Sequence, residues 1–325
     1  MPRPKPSSHT AILSSVTDAI LPEAFVNDFS KYGNHQSIAG GGHGELTATM
    51  DAVLGRTVAL KALHPEHASS DQEQRRLLRE ARITAQLQHP NTVPVYELGK
   101  KDDGSIYFAM KKVEGENLFQ VIVRIAQGDL DTKRQYPLNR LLGVLVQSSN
   151  ALAYAHSRGV IHRDVKPENI LLGPFGEVYL MDWGVAKVWG MAAEFDGDVP
   201  LEELYQRLTA TGKRPGTPLY MSPEQTTSGG IVDERSDIFS MGVVLYEILA
   251  QREPFRGKTI EETFHNIQTL TPPPPSTIAT QMPVPVALDQ VCLKALEKKP
   301  GDRYQAITGM IQEIRDIREQ AISSL

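Results

Sequence analysis

Hydrophobic positions along this chain change their period as it proceeds. From Gln36 they come in short strand-like runs: Ile38 to Leu46 around a dense glycine cluster, then Val58-Ala59-Leu60-Lys61. Over Ser70 to Gln88 the apolar positions Leu77, Leu78, Ala81, Thr84, Ala85 and Leu87 recur at roughly 3.6-residue spacing, which predicts a helix, with Asp71 placed to cap it and to favour its dipole. His89-Pro90-Asn91 ends that helix, and Val93 to Leu98 and Ile106 to Met110 read as strands joined by a turn at Asp102-Asp103-Gly104. Leu138 to Ser157 is predicted as a long helix, because Leu142, Leu145, Val146, Ser149, Leu152, Ala153 and His156 share one face. Asn169-Ile170-Leu171-Leu172 and Val178-Tyr179-Leu180-Met181 are strand-like, Ser236 opens an apolar helix running to Ala250, and Ile307, Met310, Ile311, Ile314 and Ile317 line a last helix. At the start, Met1 to Ser8 are expected to be disordered. Scattered apolar residues from Ala11 to Phe29 suit a short helix against the first lobe, and a bland tail and a regulatory segment fit the stretch equally.

Candidate chemistry concentrates between the long helix and the strand after it, in His162-Arg163-Asp164-Val165-Lys166-Pro167-Glu168-Asn169. Asp164 can accept the proton of an attacking hydroxyl, Lys166 can neutralise a transferring phosphoryl group, and Asn169 can hold a metal ion through its carbonyl oxygen. Upstream, the glycines of the Ile38–Leu46 cluster let backbone N–H groups approach phosphates, although the cluster alone serves a plain hairpin equally well. Lys61 stands seventeen residues beyond Gly44, at a strand end where an isolated lysine would simply face solvent.

Taken together these stretches resemble a eukaryotic-type protein kinase. The loop fits the pattern H-R-D-x-x-x-x-N, with the lysine two residues after the aspartate and the Pro-Glu-Asn of the serine/threonine form; finer details resemble bacterial members. The resemblance covers about Tyr32 to Ile317 and implies an α+β, two-lobed fold. A small lobe of five strands with one main helix (32–110) joins a larger, mainly helical lobe (116–318) through a hinge (111–115). Residues 1–31 form an N-terminal tail, partly disordered, and 319–325 a C-terminal one.

On that resemblance ATP is held by Ile38, Ala39, Gly40, Gly41, Gly42, His43, Gly44, Leu46, Ala59, Lys61, Glu80, Met110, Lys111, Val113 and Leu171. The pattern G-x-G-x-x-G-x-V places its glycines on Ala39, Gly41 and Gly44 and its valine on Leu46, so the first glycine is replaced. Lys61 would hold the α- and β-phosphates and pair with Glu80. Met110 would be the gatekeeper, and the backbone of Lys111 and Val113 would bond the adenine edge, with the linker side chains mostly pointing outward. Asp164, Lys166, Asn169 and Lys61 carry catalysis, while Asn169 and Asp182 hold Mg²⁺, or Mn²⁺ in its place. Asp182-Trp183-Gly184 stands for D-F-G, and Thr84 joins a stack with Val95, His162 and Trp183 that usually holds an apolar residue there.

The activation segment, 182 to 224, has an acidic middle (Glu194, Asp196, Asp198, Glu202, Glu203) and a short helix expected near Leu201 to Leu208. Thr209 and Thr211 are its candidate phosphorylation sites, with Arg163 as the partner of the phosphate. Thr217 is expected to bond Asp164 and Lys166, Glu224 to pair with Arg303, and a buried Asp237 to brace the catalytic loop.

Composition narrows the remaining classes. A formal net charge of −5 argues against nucleic-acid binding, and hydrophobic residues at 40% suffice for a full core. The single cysteine, Cys292, permits no internal disulfide and suggests a reducing, cytoplasmic setting. No apolar run reaches the roughly 18 residues a membrane span needs. The resemblance implies protein substrates and a homodimer for phosphorylation in trans. The competing reading is a scaffold that binds nucleotide or proteins without turnover; Ala39, Thr84 and Trp183 are the departures that favour it.

Overall fold

The strand-like runs pair as their alternation requires. Tyr32–Gly40 (β1), Gly44–Asp51 (β2), Arg56–Leu63 (β3), Val95–Lys100 (β4) and Ile106–Lys111 (β5) form one antiparallel sheet in the order β1-β2-β3-β5-β4. The computed structural model describes residues 28–40, 44–68, 70–188, 217–279 and 281–323. The expected N-terminal helix, Gly41, Gly42, His43, the acidic stretch with its expected helix, Thr209 and Thr211 lie outside the described residues.

Register sets which side chains face the cleft. Ala59 stands opposite Met110 and Lys61 opposite Phe108, so these share one face, and Leu60 and Ala62 point to the other. Helix Asp71–Gln86 (α1) packs its Leu77 and Ala81 against that inner face, beside Ala59, Ile106, Phe108 and Met110. Its N-cap differs from the expected one. Ser70 Oγ accepts from the Glu73 N–H at 3.4 Å, and Asp71 is already the first helical residue, helping through the dipole alone.

The hinge ends at Gly115, where φ is +128° and a Cβ would stand 2.0 Å from the Leu172 carbonyl oxygen, so only glycine fits. Beyond it come a strand pair with Glu116–Asn117 (β6), helices Leu118–Ala126 (α2) and Leu130–Gln135 (α3), and the long helix Leu138–Ser157 (α4), which has the predicted bounds. Short strands Val160–Ile161 (β7), Ile170–Leu172 (β8), Val178–Leu180 (β9) and Lys187–Val188 (β10) frame the loop between them. Asn169, expected to open β8, instead closes a 3-10 turn over Pro167–Asn169. Helix Glu234–Ala250 (α5) is buried at every position from Ser236 onward, as an apolar helix without a polar face must be. Ile260–Thr269 (α6), Pro275–Ile278 (α7), Val286–Ala295 (α8) and Ile307–Ser323 (α9) surround it, and α9 packs on α4 through the predicted isoleucine stripe. Free Cys292 is buried in this core.

Candidate active site

The loop after β7 is held by a buried anion. Asp237, on the first turn of α5 and fully inaccessible, accepts the backbone N–H groups of His162 and Arg163, both at 2.8 Å, and lies 2.7 Å from His156 Nε2. Burial alone would raise the Asp237 carboxyl, but His156, His162 and these donors hold it below the usual carboxylate range. Arg163 is thereby fixed at φ +67°, an uncommon conformation for a non-glycine residue, and Gln225 adds a bond from Nε2 to the Arg163 carbonyl at 2.9 Å.

This bracing presents Asp164. Lys166 Nζ lies 2.6 Å from Asp164 Oδ2, and Asn169 Nδ2 donates to the Asp164 carbonyl at 2.8 Å and to Oδ2 at 3.1 Å. Across the cleft Lys61 Nζ lies 2.5 Å from Glu80 Oε1 and 3.6 Å from Asp182 Oδ1. Burial works against the Lys61 charge, yet the two carboxylates outweigh it and hold its pKa above the ordinary lysine value. The carboxyls of Asp164 and Asp182 are pushed apart. Burial raises Asp164 against the pull of Lys166, whereas at Asp182 the attraction of Lys61 and Lys166 overcomes burial and lowers it. Such divergence suits two roles: a proton acceptor and a permanently charged oxygen donor.

A cavity of about 150 Å³ opens beside Lys61, Glu80 and Asp182, lined also by Leu46, Met110 and Trp183, among others. Leu46, Val113 and Leu171 pack with Ala59 and Met110 in one apolar cluster, a slot for a flat ring. Ile38 lies exposed above it, Ala39 and Gly40 end β1, and Gly44 opens β2, where a Cβ would meet the Ala62 carbonyl oxygen at 2.8 Å.

The replaced positions also find places. Trp183 is 1% exposed, its ring centroid 4.4 Å from that of His162, and among the described residues its Nε1 has no hydrogen-bond partner. Thr84, beside it, donates to the Glu80 carbonyl of its own helix at 2.7 Å, so the hydroxyl enters the stack already satisfied.

Other expectations need adjustment. The hinge side chains do not all point outward: Lys111 Nζ folds back to the Tyr179 hydroxyl at 2.5 Å and over its ring, and Lys112 pairs with Glu114. The Lys111 N–H donates to the Pro94 carbonyl at 3.0 Å, so it is already engaged within the small lobe. Thr217 begins the 3-10 turn Thr217–Tyr220, and the bonds expected of its side chain lie outside the described residues. Glu224 and Arg303 form a two-pronged pair at 2.8 and 2.9 Å, with Ser236 Oγ as a further donor to Glu224. Sequence reasoning missed His156, Gln225, Tyr179 and Phe108. Only His156 carried a signal, as the polar end of the apolar face of α4.

A protein kinase domain model matches residues 32–314. Among curated relatives, a serine/threonine-protein kinase PknD of Chlamydia felis is 35% identical over 296 residues, covering 89% of this chain and 31% of its own length. The PknD of Chlamydia pneumoniae is 36% identical over 282 residues (85% and 30%), and that of Protochlamydia amoebophila 35% over 294 (87% and 29%). The chain thus spans about a third of the length of the curated relatives it matches. With a sheet, a helix and a braced loop bringing Lys61, Glu80, Asp164, Asn169 and Asp182 around one cleft, and a family match across nearly all described residues, the chain belongs to the protein kinase domain family.

Proposed function

We propose that this chain transfers the γ-phosphoryl group of ATP to serine or threonine hydroxyls of proteins. The observation that carries the reading is the double tie of Lys61 to Glu80 and Asp182, in the cleft that also holds Asp164, Lys166 and Asn169. Phosphoryl transfer asks for alignment and charge neutralisation more than covalent chemistry. Asp164 orients the acceptor hydroxyl and takes its proton, Lys166 stabilises the transferring group, and Lys61 holds the phosphates already bonded to adenosine. Asn169 uses its amide N–H groups on Asp164, so its carbonyl oxygen and the Asp182 carboxylate are the donors suited to a hard divalent cation, Mg²⁺ or Mn²⁺. Such a cation, when bound, supplies neutralisation of the phosphate charge.

The test is incubation with labelled ATP and Mg²⁺, comparing the parent with Asp164→Asn. Loss of about a thousandfold in rate, ~4 kcal/mol, is expected for removing the proton acceptor. Label on neither protein, even after phosphorylation by another kinase, would leave a nucleotide-binding scaffold.

The reading extends to regulation: autophosphorylation in trans, within a homodimer, at Thr209 or Thr211, with Arg163 meeting the added charge. A Thr209→Ala/Thr211→Ala variant is expected to phosphorylate peptide at least tenfold more slowly, and turnover equal to the parent's would remove this part alone. Among the described residues no helix is long and apolar enough to cross a membrane, and we propose cytoplasmic protein substrates.

A further inference from the structure

The large lobe holds a second cavity, of about 220 Å³, where the turn between β8 and β9 meets the seam of α4 and α9. Tyr136, Arg140, Val144, Leu172, Gly173 and Arg318 line it, with Glu177 at the turn. Side chains alternate along β8, so Leu171 joins the apolar cluster of the cleft while Leu172 lines this cavity. The phosphotransfer chemistry uses none of the lining residues. The charge here is basic and uncompensated. Arg140 donates to the Gln135 carbonyl at 2.8 Å and lies over the Tyr136 ring, and Arg318 donates to Asn139 Oδ1 at 2.7 Å. Both acceptors are neutral oxygens, and among the described residues neither guanidinium pairs with a carboxylate. Glu177, the acidic residue in the lining, turns its carboxylate onto its own hairpin, where it accepts the Phe175 N–H at 2.9 Å and packs on Gly173. Phe175, in the same turn, is 92% exposed.

We propose that this cavity is a docking site for an acidic, extended segment of a partner protein. Its carboxylates meet Arg140 and Arg318, and an apolar side chain beside them rests on Phe175. Three features select this occupant. Guanidinium groups held only by neutral acceptors keep donors for a carboxylate, which they bind through paired, charge-assisted bonds. The volume suits side chains rather than a whole cofactor, since complete small-molecule sites run to about 300–1,000 Å³. A large exposed ring next to a charged cavity supplies the apolar contact that a peptide, unlike a free inorganic anion, can use. A net charge of −5 disfavours a nucleic acid as the anion. This inference is independent of the phosphotransfer reading.

The experiment titrates the whole chain into a fluorescein-labelled peptide of alternating glutamate and leucine, with the lysine–leucine counterpart as control, and reads fluorescence anisotropy. The glutamate peptide is expected to bind at least about tenfold more tightly than the lysine peptide, and to weaken at least about fivefold when salt rises from roughly 0.05 to 0.5 M. Arg140→Gln/Arg318→Gln keeps a polar side chain at each position and is expected to weaken it about tenfold or more. Phe175→Ser, at a ring that folding does not bury, is expected to weaken it about threefold. Equal binding of the two peptides, or of the glutamate peptide to parent and double variant, would overturn the proposal. A second measurement needs no variant: the glutamate peptide carrying a benzophenone group is crosslinked to the parent chain. Marks are expected within residues 136–147 or 172–178. Marks only elsewhere, or none, would equally overturn it.

Discussion

Asp237→Asn tests whether the braced loop depends on a buried charge. The side chain has no access to water, and its carboxylate serves three donors: two from the backbone of the catalytic loop and one from His156. An asparagine that keeps its oxygen at the Oδ2 position retains the bonds of His162 and His156 but turns an N–H₂ toward the Arg163 N–H. The opposite orientation keeps one bond and loses two. In the cheaper case one charge-assisted bond disappears, at about 1.5–3 kcal/mol, and the other two fall to neutral strength. A total of about 3–5 kcal/mol follows, which for a chain of 325 residues lowers Tm by about 4–7 °C. Arg163, held at φ +67°, should relax toward ordinary backbone geometry and carry Asp164 out of line. Calorimetry and steady-state kinetics are the assays, with kcat falling by tenfold or more while KM for ATP stays within twofold. The folded Asp237 pKa lies below its unfolded value, so this stabilisation is present above the unfolded pKa and is lost as pH falls through the folded one. Equal Tm and equal kcat in parent and variant at neutral pH would refute the reasoning.

Two further outcomes are expected. Glu247, buried beside Tyr220 and made worse by Glu253 and Glu168, is pushed from 4.5 up to about 8; its folded state therefore holds the proton longer than the unfolded one, and stability falls as pH rises from about 4.5 to 8. Glu247→Gln keeps an acceptor for the Tyr220 hydroxyl at 2.7 Å and should match the parent at pH ~5 but exceed it above pH ~8, by up to about 5 kcal/mol in urea unfolding; an unchanged pH profile would exclude the linkage. Gly115→Ala should cost at least about 3 kcal/mol, because both the positive φ and the 2.0 Å approach to Leu172 must relax, and should raise KM for ATP; a urea midpoint equal to the parent's would show that the hinge tolerates a Cβ.

Much of the architecture was legible because it rests on local pattern. The stripe of α4 gave Leu138–Ser157 without error, and the spacing of Lys61, Asp164, Asn169 and Asp182 named groups that the fold brings together. What escaped is long-range or decided by small differences. Ser70 and Asp71 are adjacent and both good caps, and only the turn geometry chooses between them. His156 with Asp237, Gln225 with Arg163 and Lys111 with Tyr179 are bonds between residues more than sixty positions apart, and nothing in the local sequence announces the partner. Thr84 and Trp183 are, in the sequence, departures that favour a scaffold without turnover. Packing accommodates both, at the cost of one buried indole N–H without a partner among the described residues, about 1–3 kcal/mol.

That indole has an optical consequence. The chain contains two tryptophans, and replacing Trp189 by phenylalanine leaves Trp183 as the sole long-wavelength emitter. In its dry slot against the His162 ring it should emit in the blue, and any rotation that swings the neighbouring Asp182 away must carry it into water and redden its light. The tryptophan that stands where the D-F-G pattern has phenylalanine is thus a built-in fluorophore, seated beside the Asp182 carboxylate, through which any rearrangement of the cleft around that carboxylate can be watched in real time.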